Sequence, residues 1–251
     1  LAHLTEQIRN CLLIHQQPQA IPARQGVLDG RRVWRAPLLG DDRIFLRSDP
    51  EPQPGFSVDL LLDGSASRLH CQEIIAAQGF LLAKSLAACG IPVRVSSFCS
   101  LRGYTVLRIL KDFPDRNAER KIFDYFSAGW NRDGLALRGM APLLRDAPAE
   151  KRLLLLLTDA SPNDSHKIPP SDRVPLSRDY DGPAAVQDTA AQVRTLRQRG
   201  VRVAAIFMGE SASFPDARTI YGRDLVRIRR MDELAGAAGK LIQQEIAELS
   251  D

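Results

Sequence analysis

Val58-Asp59-Leu60-Leu61-Leu62-Asp63-Gly64-Ser65-Ala66-Ser67 is the stretch whose reading decides the fold. An apolar run rich in large aliphatics ends at an aspartate and is bounded by Gly55 and Gly64, the pattern of a short buried strand. Beyond it Leu69, Ile74, Ile75, Ala76, Phe80, Leu81 and Leu82 recur at helical spacing. Asp63, Ser65 and Ser67 therefore fall where a strand's carboxyl end turns into a helix, the edge at which open α/β sheets bind ligands. A carboxylate and two hydroxyls on one turn offer only oxygen, which suits Mg²⁺, Mn²⁺ or Ca²⁺ and suits Zn²⁺ poorly. The same residue types cap helices, so on this stretch alone a plain N-cap at Ser65 or Ser67 stands beside the metal reading.

A second stretch shifts the balance. Leu153-Leu154-Leu155-Leu156-Leu157-Thr158-Asp159 is another buried-strand run ending in an aspartate, followed by Ala160-Ser161-Pro162-Asn163-Asp164. Between the two lies Asn131-Arg132-Asp133-Gly134-Leu135-Ala136-Leu137, a polar turn leading into a helical pattern. Asp63, Asp133 and Asp159 would bring carboxylates together at one sheet edge. Without a cation they repel, and one tends to stay protonated.

D-x-S-x-S after one hydrophobic strand, with T-D-x-x-P after a later one, resembles the von Willebrand factor A domain. The resemblance runs from Phe56 to Leu249, most of the chain. It implies a metal-ion-dependent adhesion site built from Asp63, Ser65 and Ser67 of the first loop and Asp159 of the later one. The serines would bind directly, and the two aspartates partly through water. The family usually places a Thr on the intervening loop. Aligned on the Gly-x-Ala-Leu helix start, Asn131 stands at that position and Asp133 lies two residues on, a departure that leaves both as candidates. N-x-D-G-x-A-L and T-D-x-x-P-N-D are similar to a bacterial subgroup. That subgroup includes nitric oxide reductase activation proteins, a Rubisco-activation counterpart and a cobalt-chelatase subunit.

The implied fold is α/β, a Rossmann-like three-layer sandwich. Its sheet is mostly parallel with one antiparallel edge strand, preceded by an N-terminal extension over residues 1–55. The domain proper then covers 56–251, entered through the proline-rich linker Asp49–Gly55. Expected strands are Phe56–Asp63, Val93–Phe98, Tyr104–Leu110, Arg152–Asp159, Val201–Met208 and Leu225–Ile228, with the first and fourth adjacent at the centre. The turn at Arg102-Gly103 makes the third strand antiparallel to the second. Helices are expected near Arg68–Ala88, Asn117–Phe126, Gly134–Leu144, Ala184–Arg199 and Glu233–Leu249, the last with Leu234, Ala238, Leu241, Ile242 and Ile246 as its apolar stripe. The extension has helical spacing over Leu1–Leu13, then plausible short strands at Arg32–Trp34 and Arg43–Leu46. Ser161–Gly182, polar and proline-rich, is expected to flank the site and to be mobile without a partner.

The 251 residues are 44% hydrophobic and 25% charged, which is ordinary for a globular protein. The net charge of +4 is spread out, and the Arg227, Arg229, Arg230 cluster lacks interleaved aromatics. It reads as a solvated face, with nucleic acid a minor alternative. Cys11, Cys71, Cys89 and Cys99 form no C-x-x-C and fit buried thiols of a reducing cytoplasm. There is no membrane-length apolar run and no visible signal peptide. The chain begins at Leu1 rather than Met, which leaves room for a longer parent protein.

By resemblance, the function is that of a metal-dependent protein-binding adaptor. A partner Asp or Glu would complete the Mg²⁺ (or Mn²⁺, Ca²⁺) shell, and a MoxR-type AAA+ ATPase would work alongside to activate or metallate a client enzyme. ATP would be hydrolysed elsewhere, since the chain has no G-x-x-x-x-G-K-S/T loop. An alternative is a Mg²⁺-dependent phosphoryl-transfer enzyme with Asp63 as nucleophile. Such enzymes usually carry a second acid where Ser65 stands and need a nearby lysine, for which Lys167 is the candidate. A chelatase subunit is a third reading, and Gly64-Ser65-Ala66-Ser67 is not the G-x-S-x-G of a serine hydrolase. His70 and His166 lie near the loops without being assigned to a metal. Arg68, where the family often has an apolar residue, either softens the negative field or pairs with a partner carboxylate. Asp164 is either a support for the site or a turn residue.

Overall fold

The computed structural model describes residues 2–15, 20–48, 55–115, 118–170 and 174–248. The chain opens with helix α1 (Ala2–His15) and three short strands, β1 (Ala20–Ala23), β2 (Val27–Leu28) and β3 (Phe45–Ser48), which pair antiparallel as a small sheet. A short helix, α2 (Arg35–Leu39), interrupts them. The strand expected at Arg32–Trp34 is instead a turn running into α2. Arg32 N–H bonds to Asp29 O at 2.8 Å, and the Trp34 indole N–H bonds back to Arg31 O at 2.8 Å, so local bonds replace a strand ladder. The linker expected at Asp49–Gly55 lies outside the described residues except for Gly55.

The main sheet follows the alternation of strand and helix patterns. Its strands are β4 (Phe56–Asp63), β5 (Val93–Leu101), β6 (Tyr104–Lys111), β7 (Lys151–Thr158), β10 (Val201–Phe207) and β11 (Leu225–Arg227). Between β7 and β10 a separate two-stranded hairpin forms from β8 (Asp164–Ile168) and β9 (Arg178–Tyr180), anchored by the buried Tyr180, so the long polar segment has structure of its own. Helices α3 (Gln72–Ala88), α4 (Asp133–Arg145), α5 (Gly182–Gln198), α6 (Phe214–Tyr221) and α7 (Leu234–Glu248) complete the order. The sheet runs β11-β10-β7-β4-β5-β6, parallel throughout except for the edge pair β5–β6. β4 and β7 are central neighbours, with Leu60 opposite Leu155.

Strand periodicity sends alternate residues to opposite faces. Leu60, Leu62, Leu153, Leu155 and Leu157 face one core, packed with Leu4 and Ile8 of α1, Ile75 of α3 and Leu241 of α7. Leu61, Leu154, Leu156 and Val203 face the other, packed with Leu137 of α4, Val193 of α5 and Ile220 of α6. Because both faces are covered, β4 and β7 read as continuous leucine runs rather than as alternating ones. Fully burying each such leucine contributes roughly 1.5–3 kcal/mol. α1 thus belongs to the helical layer beside α3 and α7.

The helix expected over Asn117–Phe126 is only a 3-10 turn at Glu119–Asp124, and residue 117 lies outside the described part. α6 was not expected. Its Pro215 at the start and its buried Ala217, Ile220 and Tyr221 account for it as a short amphipathic helix. The side chains of Cys11 and Ile246 lie outside the described residues. Among the described residues no helix is long and apolar enough to cross a membrane.

Candidate metal centre

Three loops leave the carboxyl edge of the sheet and meet. The first follows β4. The Asp63 side chain is wholly buried, its Oδ1 accepts the Ser65 N–H at 2.9 Å, and its main-chain oxygen accepts the Tyr125 hydroxyl at 2.6 Å. Gly64 makes the close approach that shapes this turn. Its N–H bonds to Phe98 O at 2.8 Å, and a Cβ there would sit 2.9 Å from that same oxygen. Ser65 Oγ and Ser67 Oγ are 2.9 Å apart, and Ser67 Oγ donates to Asp159 Oδ2 at 3.0 Å. A hydroxyl has one proton to give, so Ser65 is the donor to Ser67. Neither serine bonds to the following helix as a cap.

The loop after β7 brings Asp159. Its Oδ1 accepts the Ser161 N–H at 3.2 Å and the Asn131 side-chain amide at 3.3 Å. Directly after it, Ala160 is held at φ 51°, the left-handed region, with its N–H bonded to Thr158 Oγ1 at 2.9 Å. The intervening loop brings Asn131, fixed by reciprocal main-chain bonds with Asn163 at 3.2 and 3.1 Å. Asp133, the first residue of α4, is wholly buried and accepts from Thr158 Oγ1 at 3.4 Å. All six residues singled out in the sequence thus share one cluster, with Asn131 on the open side and Asp133 beneath.

Its electrostatics are strained. Burial pushes the Asp63 carboxyl up to about 7, and the neighbouring Asp159 charge adds to the shift. Burial, then Asp63 and Asp159, push Asp133 well above the usual carboxylate range. Asp63 Oδ2 and Asp133 Oδ1 are buried without a hydrogen-bond partner. Such oxygens are costly unless a proton or a cation meets them. Among the described residues no three His, Cys, Asp or Glu side chains form a metal-ligand group, so any cation here would depend on the hydroxyls as well. The donor set is all oxygen, apart from the Asn131 amide nitrogen as placed, and fits a hard divalent ion.

Arg68 was legible as a departure in type but not in its contact. Its Nη2 meets Asp159 Oδ2 at 2.7 Å, its Nε meets Ser67 Oγ at 3.2 Å, and its Nη1 meets Met208 O at 3.3 Å. It pairs with a carboxylate of its own chain, which softens the negative field there. Thr158 and Tyr125, which anchor Asp133, Ala160 and Asp63, were also missed as supports. The Thr158 of the T-D pair was the available signal.

The open side is a groove of about 1130 Å³ whose lining includes Ser67, Trp130, Asn131, Asp159, Arg229 and Arg230. The arginine cluster is exposed, the solvated face that was expected, with Arg229 and Arg230 along the groove. Arg230 pairs with Asp232, and Arg227 lies over the Phe214 ring at 5.3 Å. His70 also lines the groove, whereas His166 sits on the hairpin beside Ser165. Asp164 serves the hairpin, accepting the His166 N–H at 3.1 Å and facing Arg132 at 3.5 Å.

A parallel sheet covered on both faces, carrying an aspartate–serine–serine turn at its carboxyl edge beside the aspartate of the next strand, defines a von Willebrand factor A-like domain. Known proteins agree. The chain is 29% identical over 184 residues to Protein NorD of Brucella abortus (strain 2308), an alignment covering 69% of this chain and 27% of that protein. The vWF domain of the type V pili tip protein Mfa5 from Porphyromonas gingivalis shares the fold with a TM-score of 0.57 at 13% identity, over 78% of this chain and 96% of that one. Manganese-loaded Plasmodium vivax TRAP protein does so with a TM-score of 0.53 at 21% identity, over 74% and 73%. No protein-family model matches the chain.

Proposed function

We propose that this chain is a metal-dependent protein-binding adaptor, working beside a MoxR-type AAA+ ATPase to activate or metallate a client enzyme. The observation that carries the metal reading is the convergence of the Ser65 and Ser67 hydroxyls on Asp159, beside two buried carboxylate oxygens without partners, Asp63 Oδ2 and Asp133 Oδ1. Ser65 and Ser67 would hold the ion directly, with Asp63 and Asp159 supporting it and Asn131 on the third loop. Asp133 beneath contributes charge. Bound there, Mg²⁺, Mn²⁺ or Ca²⁺ supplies positive charge that a partner Asp or Glu completes. The groove beside Ser67 and Asp159 would receive that partner segment. Similarity to Protein NorD supports an accessory role, and the ATPase partner is what the subgroup resemblance implies.

The phosphoryl-transfer alternative is disfavoured by Asp63 itself, whose side chain is fully buried and does not line the groove. Lys167 points the same way. It sits on the exposed hairpin, where its Nζ is 3.5 Å from Asp179.

Titration calorimetry with Mg²⁺, joined to partner capture across a Mg²⁺ and EDTA series, tests the adaptor reading. Asp63→Ala should abolish metal-dependent capture while the protein stays folded. If Asp63→Ala captures partners as the wild type does and EDTA changes nothing, the site plays no part in binding.

A further inference from the structure

Arg68 occupies an unusual place. It is 7% exposed, and its three guanidinium nitrogens bond to groups from three loops: Ser67 after β4, Asp159 after β7 and the Met208 carbonyl after β10. Asp159 Oδ2 therefore already carries a full positive charge at 2.7 Å and accepts the Ser67 hydroxyl as well. Ser67 Oγ, in turn, accepts from Arg68 and gives its one proton to Asp159, so its lone pairs are already engaged. The half of the cluster formed by Asp159 and Ser67 is neutralised and bonded, while Asp63 Oδ2 and Asp133 Oδ1 have no partner.

From this asymmetry we infer that Arg68 is a tethered cation that competes with a divalent ion for Asp159 and Ser67. The inference rests on the metal-binding reading above and sets its regulation. An ion entering the site must take the Asp159 and Ser67 oxygens from a guanidinium that is already dehydrated and held at three points. Arg68 cannot lose its charge by deprotonating, so it must swing away from Asp159. Released, it faces the groove lined by Asp159 and Glu210, where an acidic partner segment would receive it. Metal and partner then favour the same rearrangement, and each strengthens the other's binding.

The test uses the whole chain and Mn²⁺ alone, followed by calorimetry and by the spin resonance of free Mn²⁺. Arg68→Met, apolar and of similar length, should bind Mn²⁺ about tenfold more tightly or better than wild type. Its melting temperature without metal should fall, because Asp159 loses its counter-charge, and Mn²⁺ should restore it. Arg68→Lys keeps a charge but not the three-point fork, so its affinity should lie between the two, and it decides the matter if Arg68→Met does not fold. Equal or weaker Mn²⁺ binding by the variants overturns the competition and makes Arg68 a residue that merely positions Asp159. Absence of Mn²⁺ binding in wild type and variants alike overturns the metal reading itself. Asp63→Ala in each background shows that the binding measured is at this site.

Discussion

Asp63 is an ionisable side chain at a position where the folded chain opposes charge. Its carboxyl is raised from 3.8 to about 7, burial first and Asp159 second. The folded state thus holds a proton that the unfolded chain has released. In metal-free protein the Asp63 contribution is favourable below pH 3.8 and is lost as pH rises through about 7. Asp63→Asn keeps the acceptor for the Ser65 N–H and removes the ionisation. It should stabilise the metal-free protein by about 2–4 kcal/mol at pH 8 and by nothing below pH ~4, as read from urea melts across pH. Ser65→Ala and Ser67→Ala should each weaken Mg²⁺ binding less than Asp63→Ala, since each removes a neutral oxygen that water replaces. At the third loop, Asn131→Ala should cost more Mg²⁺ affinity in calorimetry than Asp133→Asn if the group on the open side is the one that matters. The reverse order would make Asp133 the working residue.

At the scale of elements, β4 and β5 are tied by a buried ion pair, Asp59 Oδ1 to Arg94 Nε at 2.6 Å, both almost inaccessible. Burial outweighs the arginine's pull and leaves Asp59 raised to about 6. Arg94→Leu strands that carboxylate and should lower stability by about 3–5 kcal/mol, whereas Asp59→Leu with Arg94→Leu should recover most of it. Chemical denaturation of the three proteins measures both. The β8–β9 hairpin has only two strands, a marginal unit by itself. Trypsin should therefore cut at Lys167 or Arg178 before any site in the main sheet, and equal protection would show the hairpin to be held firmly. Elements with a strong period were legible in the sequence: the leucine runs of β4 and β7, the helices α3, α5 and α7, the β5–β6 turn. The misses have local causes. At Arg32–Trp34 side-chain and turn hydrogen bonds win over strand propensity, and α6 is too short for its period to stand out. That Asp63, Ser65, Ser67 and Asp159 meet was legible, because the motif spacing sets both loops at the carboxyl ends of neighbouring strands. The Arg68–Asp159 contact spans 91 residues and exists only once the β4 and β7 loops meet, so no local pattern announces it.

For the molecule as a whole, a cation that binds only the folded state stabilises it by mass action. Saturating Mg²⁺ at about a hundred times its dissociation constant should raise the melting temperature by roughly 5–10 °C, reversed by EDTA. Because Asp63 holds its proton near neutrality, Mg²⁺ should displace protons and bind more tightly as pH rises from about 6 to 8. Calorimetry in buffers of different ionisation enthalpy counts those protons. An unchanged melting temperature with Mg²⁺ would overturn the metal reading.

Ala160 bears on how far this centre can be rewritten. A left-handed backbone at φ 51° under a wholly buried methyl leaves position 160 a very short alphabet. Glycine fits the backbone, asparagine fits it less easily in so closed a space, and a β-branched side chain does not fit. Positions 68, 131 and 133 carry no such backbone constraint, since none of them has a positive φ. The letter that aims Asp159 is nearly fixed, not by any chemistry it performs but by the one shape its backbone must hold.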